Sequence, residues 1–337
     1  MRRSLVNDPD DLVVEALEGL ALAHPTLVRH DAEHGFVARA TPARDKVGLV
    51  SGGGSGHEPL HAGFVGHGML DVAVPGAVFA SPTALQLYDA TRAADAGRGV
   101  LHIVKNYTGD VINFTVAREL ADEDDDIATE VVLVDDDLAT DLGEEPDDPD
   151  APGRRGTAAV VAVEKICGAA AEEGADLGSL AELGRSVAAR ARSMAFAIEA
   201  GTHPGSSRPA FDLDADEVEL GVGIHGERGR SRVPFGPTDE LVARLVDPLV
   251  EALRPARGSG VIAIVNGLGS TYPLELYAAA RAVHGGMTAR GVRVDRFLVG
   301  SLVTSLDMHG VSVTLLPVDD ELLRLWDAPV RTPALTW

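Results

Sequence analysis

Short, mainly apolar runs without alternation recur along the chain at 47–50, 100–104, 130–134 and 261–265, interrupted only by His102 and opened at 130 by Glu130. A strand with one solvated face alternates, whereas an unbroken run fits a strand covered on both faces, as in the sheets of α/β proteins. Between these runs the spacing turns helical. Leu12, Val13, Leu17, Leu20 and Ala21 form a stripe that predicts a helix over 10–24, with Asp10 or Asp11 as cap and Pro25 after its end. An Ala-rich helix is expected over 157–173, opened by Arg154-Arg155-Gly156-Thr157. Another is expected over 179–200, with Leu183, Val187, Met194 and Ile198 on one face and a stop at Gly201. Strands alternating with helices predict an α/β fold: two closely packed α/β domains, each a sheet flanked by helices, covering 1–190 and 191–337.

Charge narrows the partners. The 337 residues carry 52 acids against 29 bases, a formal charge of −23, and only three of the bases are lysines: Lys46, Lys105 and Lys165. Such a field repels phosphate backbones, so neither nucleic acid nor an anionic membrane is expected as a partner. An Asp-rich, Lys-poor surface suits concentrated salt, where screening removes the self-repulsion. Residues 122–150 hold 15 acids and no base, including Asp124-Asp125-Asp126, Asp135-Asp136-Asp137 and Asp147-Asp148. The expectation there is a solvated loop surface around one strand, with a cation site at the second triplet as the alternative. A single cysteine, Cys167, excludes a disulfide framework and reads as a buried, inert thiol. The sequence begins without a secretory pattern and contains no long apolar run, so a cytoplasmic protein is expected.

Three strings carry candidate chemistry. The first is Ser51-Gly52-Gly53-Gly54-Ser55-Gly56-His57-Glu58-Pro59-Leu60-His61, a glycine-rich loop expected directly after a strand. It lacks the Gly-Lys-Ser/Thr of a phosphate-binding P-loop. Its His-Glu-x-x-His would bind zinc only with both histidines on one helical face, and Pro59 places His57 at or before the helix cap instead. No metal is assigned. The second string, Lys105-Asn106-Tyr107-Thr108-Gly109-Asp110, follows the run at 100–104, where open α/β sheets bind ligands. A lysine retained beside an aspartate, in a chain that otherwise uses arginine, suggests a specific site. The third, Gly221-Val222-Gly223-Ile224-His225-Gly226-Glu227, sets a histidine between glycines, with its imidazole open to a ligand.

Together with Gly-Met-Leu-Asp at 68–71, Phe-Ala-Ser-Pro-Thr at 79–83, Val-Asn-Gly-Leu-Gly at 265–269, Thr-Ser-Leu-Asp-Met at 304–308 and Asp-Ala-Pro-Val-Arg-Thr-Pro at 327–333, these strings closely resemble the dihydroxyacetone-binding K subunits of dihydroxyacetone kinases. The resemblance runs from about residue 15 to Pro333. It implies that His225 adds covalently to the ketone carbon as a hemiaminal, which would exclude glycerol because glycerol has no carbonyl. It implies that Gly54, Ser55, Gly56, His57, Ser81, Lys105 and Asp110 hold the substrate, with His57 and Asp110 moving protons. No cofactor is expected in this chain. ADP or ATP with magnesium belongs to a separate L subunit, recharged from phosphoenolpyruvate through an M subunit of the phosphotransferase system. A homodimer is expected, and the composition adds a halophilic archaeal source. Relatives often read Ser-Pro-Thr-Pro-Asp where this chain has Ser81-Pro82-Thr83-Ala84-Leu85. The resemblance leaves two other readings in play, a kinase subunit for a related ketose such as erythrulose and a dihydroxyacetone sensor that docks on a transcription factor.

Overall fold

The computed structural model describes residues 4–141, 153–206 and 208–337. They form two compact units, and neither is continuous in sequence. The first contains Leu5–Val134, Val160–Ala188 and Glu321–Trp337; the second contains Asp135–Ala159 and Ala189–Asp320. Sequence reasoning expects one cut at residue 190, whereas the chain changes unit after Val134, Ala159, Ala188 and Asp320.

The first unit opens with α1 (Leu12–Ala23), whose flanking Asp11 makes no side-chain cap, contrary to expectation. Strands β1 (Val28–Asp31), β2 (Phe36–Arg39), β3 (Gly48–Ser55) and β4 (Val72–Val78) follow, then α2 (Ala84–Ala94), β5 (Val100–Lys105), α3 (Thr108–Asp125) and β6 (Thr129–Val134). After a passage through the second unit the chain returns with α4 (Ala159–Glu172) and α5 (Leu177–Arg190). The six-stranded sheet runs β1-β2-β4-β3-β5-β6, with β4, β3, β5 and β6 mutually parallel. The sequence of connections reverses direction between β3 and β5, and such a switch point opens a crevice at the carboxyl ends of the strands. On one sheet face Val50, Val72, Val74, Val100 and Val104 pack with Leu87 and Ala90 of α2 and Phe114 and Ala117 of α3. The Ala-rich α4 is buried along nearly its whole length, as a helix apolar on all sides must be. Cys167 lies within it, and burial pushes its thiol up to about 12, so it stays protonated and inert.

The second unit contains β7 (Arg192–Glu199), β8 (Glu217–Leu220), β9 (Ser231–Pro234), α6 (Thr238–Leu253), β10 (Gly260–Gly267), α7 (Pro273–Ala289), β11 (Arg293–Gly300) and β12 (His309–Val318). Its sheet runs β11-β10-β12-β7-β8-β9; β10 and β11 are parallel and every other neighbour is antiparallel. Helices α6 and α7 cover one face through Leu241, Leu245, Leu249, Leu276, Val283 and Met287. The helix expected over 179–200 ends at Arg190, and Met194 and Ile198 lie instead on β7. Partners on both sides, β12 and β8, hold 192–199 extended and override its helical spacing. In the final helix, α8 (Asp320–Asp327), the Leu325 carbonyl accepts from Lys165 Nζ at 2.8 Å, and the tail after it is tied to the rest of the first unit through Arg331 N to His67 O and Ala334 N to Gly63 O, each at 2.9 Å.

The acidic triplet at 135–137 is not a solvated loop. Asp136 is completely buried and accepts from Thr157 N, Thr157 Oγ1, Ala159 N and Ser193 Oγ. Asp135 takes Arg154 at 2.8 Å, and Asp137 pairs with Arg155. The remainder of the acidic run, 142–150, lies outside the described residues.

His102, buried in the first core, is a second consequence of this packing. Thr91 Oγ1 donates to Leu87 O at 2.7 Å, so its oxygen accepts from His102 Nε2 at 2.9 Å. Burial, with a smaller push from Arg118, lowers His102 to about 3. The fold therefore holds this imidazole neutral while the unfolded chain protonates it near 6.5. Its contribution to stability is complete above pH 6.5 and is lost as pH falls toward 3, amounting to about 2 kcal/mol at pH 5. Urea unfolding at pH 7 and pH 5 should show the wild type losing about that much more stability than His102→Gln; equal losses would refute the assignment.

Candidate functional site

In the first unit the site lies at the carboxyl ends of β3, β4 and β5, on either side of the switch point. The expected glycine-rich loop is mostly strand: Gly52, Gly53, Gly54 and Ser55 complete β3, and only at Gly56 (φ 101°) does the chain leave it. Close approach explains these glycines. A Cβ on Gly53 would strike the Lys105 ammonium and stand 3.5 Å from Asp110 Oδ2, and one on Gly54 would meet the Phe79–Ala80 backbone. Lys105 ends β5 with its side chain completely buried, and Asp110 sits in the first turn of α3, where the helix dipole favours an anion. Their charged atoms are 3.6 Å apart. Neither Lys105 Nζ nor Asp110 Oδ1 has a hydrogen-bond partner among the described residues. A buried ammonium and carboxylate left this way suit a small ligand rich in hydroxyl and carbonyl oxygens.

His57 is also buried and stacks on Phe79, ring centroids 5.2 Å apart. Ser81 Oγ faces Gly109 at the start of α3, since a Cβ there would stand 2.7 Å from it. The hydroxyl of Ser55 donates to Gly76 O at 2.7 Å, and the Gly56 amide donates to the Glu58 carboxylate at 3.1 Å. The structure therefore gathers His57, Ser81, Lys105 and Asp110, while Ser55 and Gly56 hold the turn in shape.

His57 and His61 share no helix; residues 58–61 form a turn before a short 3-10 segment at Ala62–Phe64. This geometry rules out the helical zinc reading. His61 Nδ1 instead lies 2.6 Å from Glu164 Oε1 of α4 and 3.1 Å from Ser51 Oγ. Burial, reinforced by the charge of Lys105, pushes His61 well below its usual range, and burial pushes Glu164 well above its own. The pair is held neutral on the sheet face that carries Ser51 and Gly53.

In the second unit His225 lies in the turn after β8 and is largely but not wholly buried. Glu227, two residues on, accepts from the His225 amide at 2.9 Å through Oε2 and faces Nδ1 at 3.3 Å through Oε1. Burial raises the Glu227 carboxyl, but its hydrogen bond with His225 and the charges of His225 and Arg155 outweigh this and take it down to about 2. An ionised Glu227 only accepts, so it favours a proton on Nδ1, and in the neutral ring the lone pair then lies on Nε2. A neutral imidazole so oriented can act as a nucleophile at Nε2.

Sequence reasoning quoted Glu227 and Phe79 within its strings and Arg155 at a helix start but gave none of them a role in the site, and it missed Glu164. The role of Glu227 could have been found, since an acid two residues beyond a histidine in a tight turn can reach its ring. Those of Arg155 and Glu164 depend on contacts with distant segments and left no local signal.

Comparisons with known proteins place the chain among relatives. Residues 18–334 match the Dak1 domain model. The chain is 43% identical over 99% of both lengths to the PEP-dependent dihydroxyacetone kinase, dihydroxyacetone-binding subunit DhaK, of Escherichia coli. It is 46% identical, over 95% of each, to the corresponding PTS-dependent subunit of Listeria innocua. Among solved structures, the dihydroxyacetone kinase operon co-activator DhaQ superposes with a TM-score of 0.88 at 32% identity, covering 95% of this chain and 96% of that one. On these grounds the chain belongs to the Dak1 domain family.

Proposed function

We propose that this chain is the dihydroxyacetone-binding subunit of a dihydroxyacetone kinase, and that it presents its substrate to a separate nucleotide-bearing L subunit. The observation that carries this reading is His225, whose Nδ1 faces an ionised Glu227 and whose Nε2 is thereby left to attack. In the reaction, the Nε2 lone pair forms a bond to the ketone carbon, and the carbonyl π pair moves to oxygen, which takes up a proton; the family resemblance offers His57 for proton transfers of this kind. The charge this leaves on the imidazole is balanced by Glu227 at Nδ1. Glycerol offers no carbonyl and is refused by chemistry rather than by size.

The Lys105–Asp110 couple supplies the second half of the chemistry. Asp110 accepts the proton of the attacking hydroxyl, and Lys105 adds positive charge for the transferring phosphoryl group. No cofactor is assigned to this chain; ADP or ATP with magnesium resides on the L subunit, replenished from phosphoenolpyruvate through the M subunit. The reading includes a cytoplasmic homodimer from a halophilic archaeon, in keeping with the charge of −23. Among the described residues no helix is long and apolar enough to cross a membrane.

A second reading, a dihydroxyacetone sensor, is favoured by the likeness to the co-activator DhaQ. A sensor needs His225 but has no use for a buried base, so the retained Asp110 favours the kinase.

Intact-mass spectrometry of wild type with dihydroxyacetone should show the mass of one added substrate, absent from His225→Ala; an adduct that survives this substitution would remove His225 as the nucleophile. Asp110→Ala should keep the adduct and lower turnover with L subunits by about 10²–10⁴-fold. Undiminished turnover would exclude Asp110 as the base, and an adduct without turnover from any L subunit in the wild type would favour the sensor. Gly53→Ala should weaken substrate binding at least tenfold while leaving the thermal midpoint nearly unchanged, because its methyl group displaces the Lys105 ammonium; wild-type affinity in that variant would show that Lys105 does not bind substrate.

A further inference from the structure

The covalent histidine is the end of a longer chain of contacts, and all of its members lie within the second unit. Arg155 approaches Glu227 from the other side, with Nη1 4.0 Å from Oε2. Its remaining nitrogens are fixed: Nε donates to Asp137 Oδ2 at 2.9 Å, and Nη2 lies 2.7 Å from the same oxygen and donates to Gly221 O at 3.0 Å. The backbone is fixed as well, since Arg155 N donates to Thr140 Oγ1 and Arg155 O accepts from Asp137 N. Asp137 is in turn anchored by the Ala139 amide at 2.9 Å.

The glycines of the Gly-Val-Gly-Ile-His-Gly-Glu string match this arrangement. Gly221 supplies the carbonyl that receives Nη2. A Cβ on Gly223 would collide with both Glu227 Oε2 and Arg155 Nη1, so any side chain there would wedge apart the arginine and the glutamate. The string therefore makes room for an arginine that lies 66 residues away from Gly221 in sequence.

We infer that Arg155, gripped by Asp137 and the Gly221 carbonyl, is a positioning residue that keeps Glu227 seated on His225, and so fixes the imidazole with its proton on Nδ1 and its lone pair on Nε2. The inference rests on the reading of His225 as the nucleophile. It assigns Arg155 and the third acid of the 135–137 triplet to the covalent step rather than to folding alone. The charged groups around Glu227 are His225 and Arg155, and those around Asp137 are Arg155 and Asp136. Burial raises Asp137 to about 6 against the pull of Arg155, so this carboxylate holds its charge because the guanidinium is present. Removing Arg155 should release Asp137 toward protonation and free the Glu227 carboxylate to turn away from the ring.

The test has two readouts. The first is the ¹⁵N shift pattern of His225 in the substrate-free protein, which distinguishes the Nδ1–H from the Nε2–H tautomer. The second is adduct occupancy with dihydroxyacetone from pH 5 to pH 8, by intact mass. Wild type should show the Nδ1–H tautomer at pH 7 and an adduct stable toward acid. Arg155→Met should give mixed tautomers, about tenfold weaker adduct formation at pH 7, and an acid limb moved up by about one pH unit. Arg155→Lys should restore part of the acid limb, and Asp137→Asn should fall between Met and wild type; this second site keeps the test decisive if Arg155→Met fails to fold. Wild-type tautomer and pH profile in the folded variants would overturn the inference. A wild type that holds the Nδ1–H tautomer but forms no adduct would overturn the covalent reading and leave the role of Arg155 in place.

Discussion

A buried ammonium group sets the terms for the first unit. Lys105 ends an interior strand with its side chain fully buried, and an isolated charge in such a place costs several kcal/mol. The surrounding sequence answers that cost. Asp110 brings a carboxylate from the first turn of α3, Gly53 withholds the side chain that would occupy the ammonium's space, and Glu164 with His61 keeps a neutral pair on the same sheet face. Adjacent parallel strands bring these groups into register: Ser51 pairs with Ile103, which sets Gly53 opposite Lys105 two residues further on. The glycine-rich segment is therefore shaped by a charge on the neighbouring strand as much as by a ligand.

The second unit solves the converse problem. Around His225 the charges come as compensating pairs. Glu227 faces Nδ1, Arg155 faces Glu227, and Asp137 faces Arg155. Alternating charge leaves each member close to a partner of opposite sign and fixes the imidazole by hydrogen bonding rather than by steric confinement. The residues that do this occupy a turn, a strand end and the approach to α4, so their geometry depends on the fold as a whole.

Much of this was legible in the sequence, and the exceptions have physical causes. The mainly apolar runs marked β3, β5 and β10, because residues buried on both faces need no alternation, and they marked β6 as well, although that strand lies at the sheet edge with Leu133 exposed. The three strings marked His57, Lys105, Asp110 and His225. The reading of 179–200 as one helix failed at Arg190, since Met194 and Ile198 fit a helical stripe and only pairing with β12 and β8 decides otherwise. Glycine is a poor strand former, so Gly52–Ser55 read as a loop until Val74 and Lys105 were found packed against them. The acids at 135–137 read as solvated because their partners, Arg154, Arg155, Thr157 and Ser193, lie well along the chain, and ion pairs of long range leave no local pattern.

The three lysines carry one further consequence. Lys46 is buried against Asp71, Lys105 lies at the ligand site, and Lys165 is buried against the Leu325 carbonyl, so none presents its amine to solvent. Arginine, which bears the rest of the positive charge, does not form imines. Ketoses and aldehydes in solution damage proteins by condensing with accessible lysine amines and then rearranging to permanent adducts. A surface without side-chain amines gives that chemistry no lysine to begin on. A protein that handles a reactive carbonyl compound all its working life is thereby spared gradual browning by its own substrate.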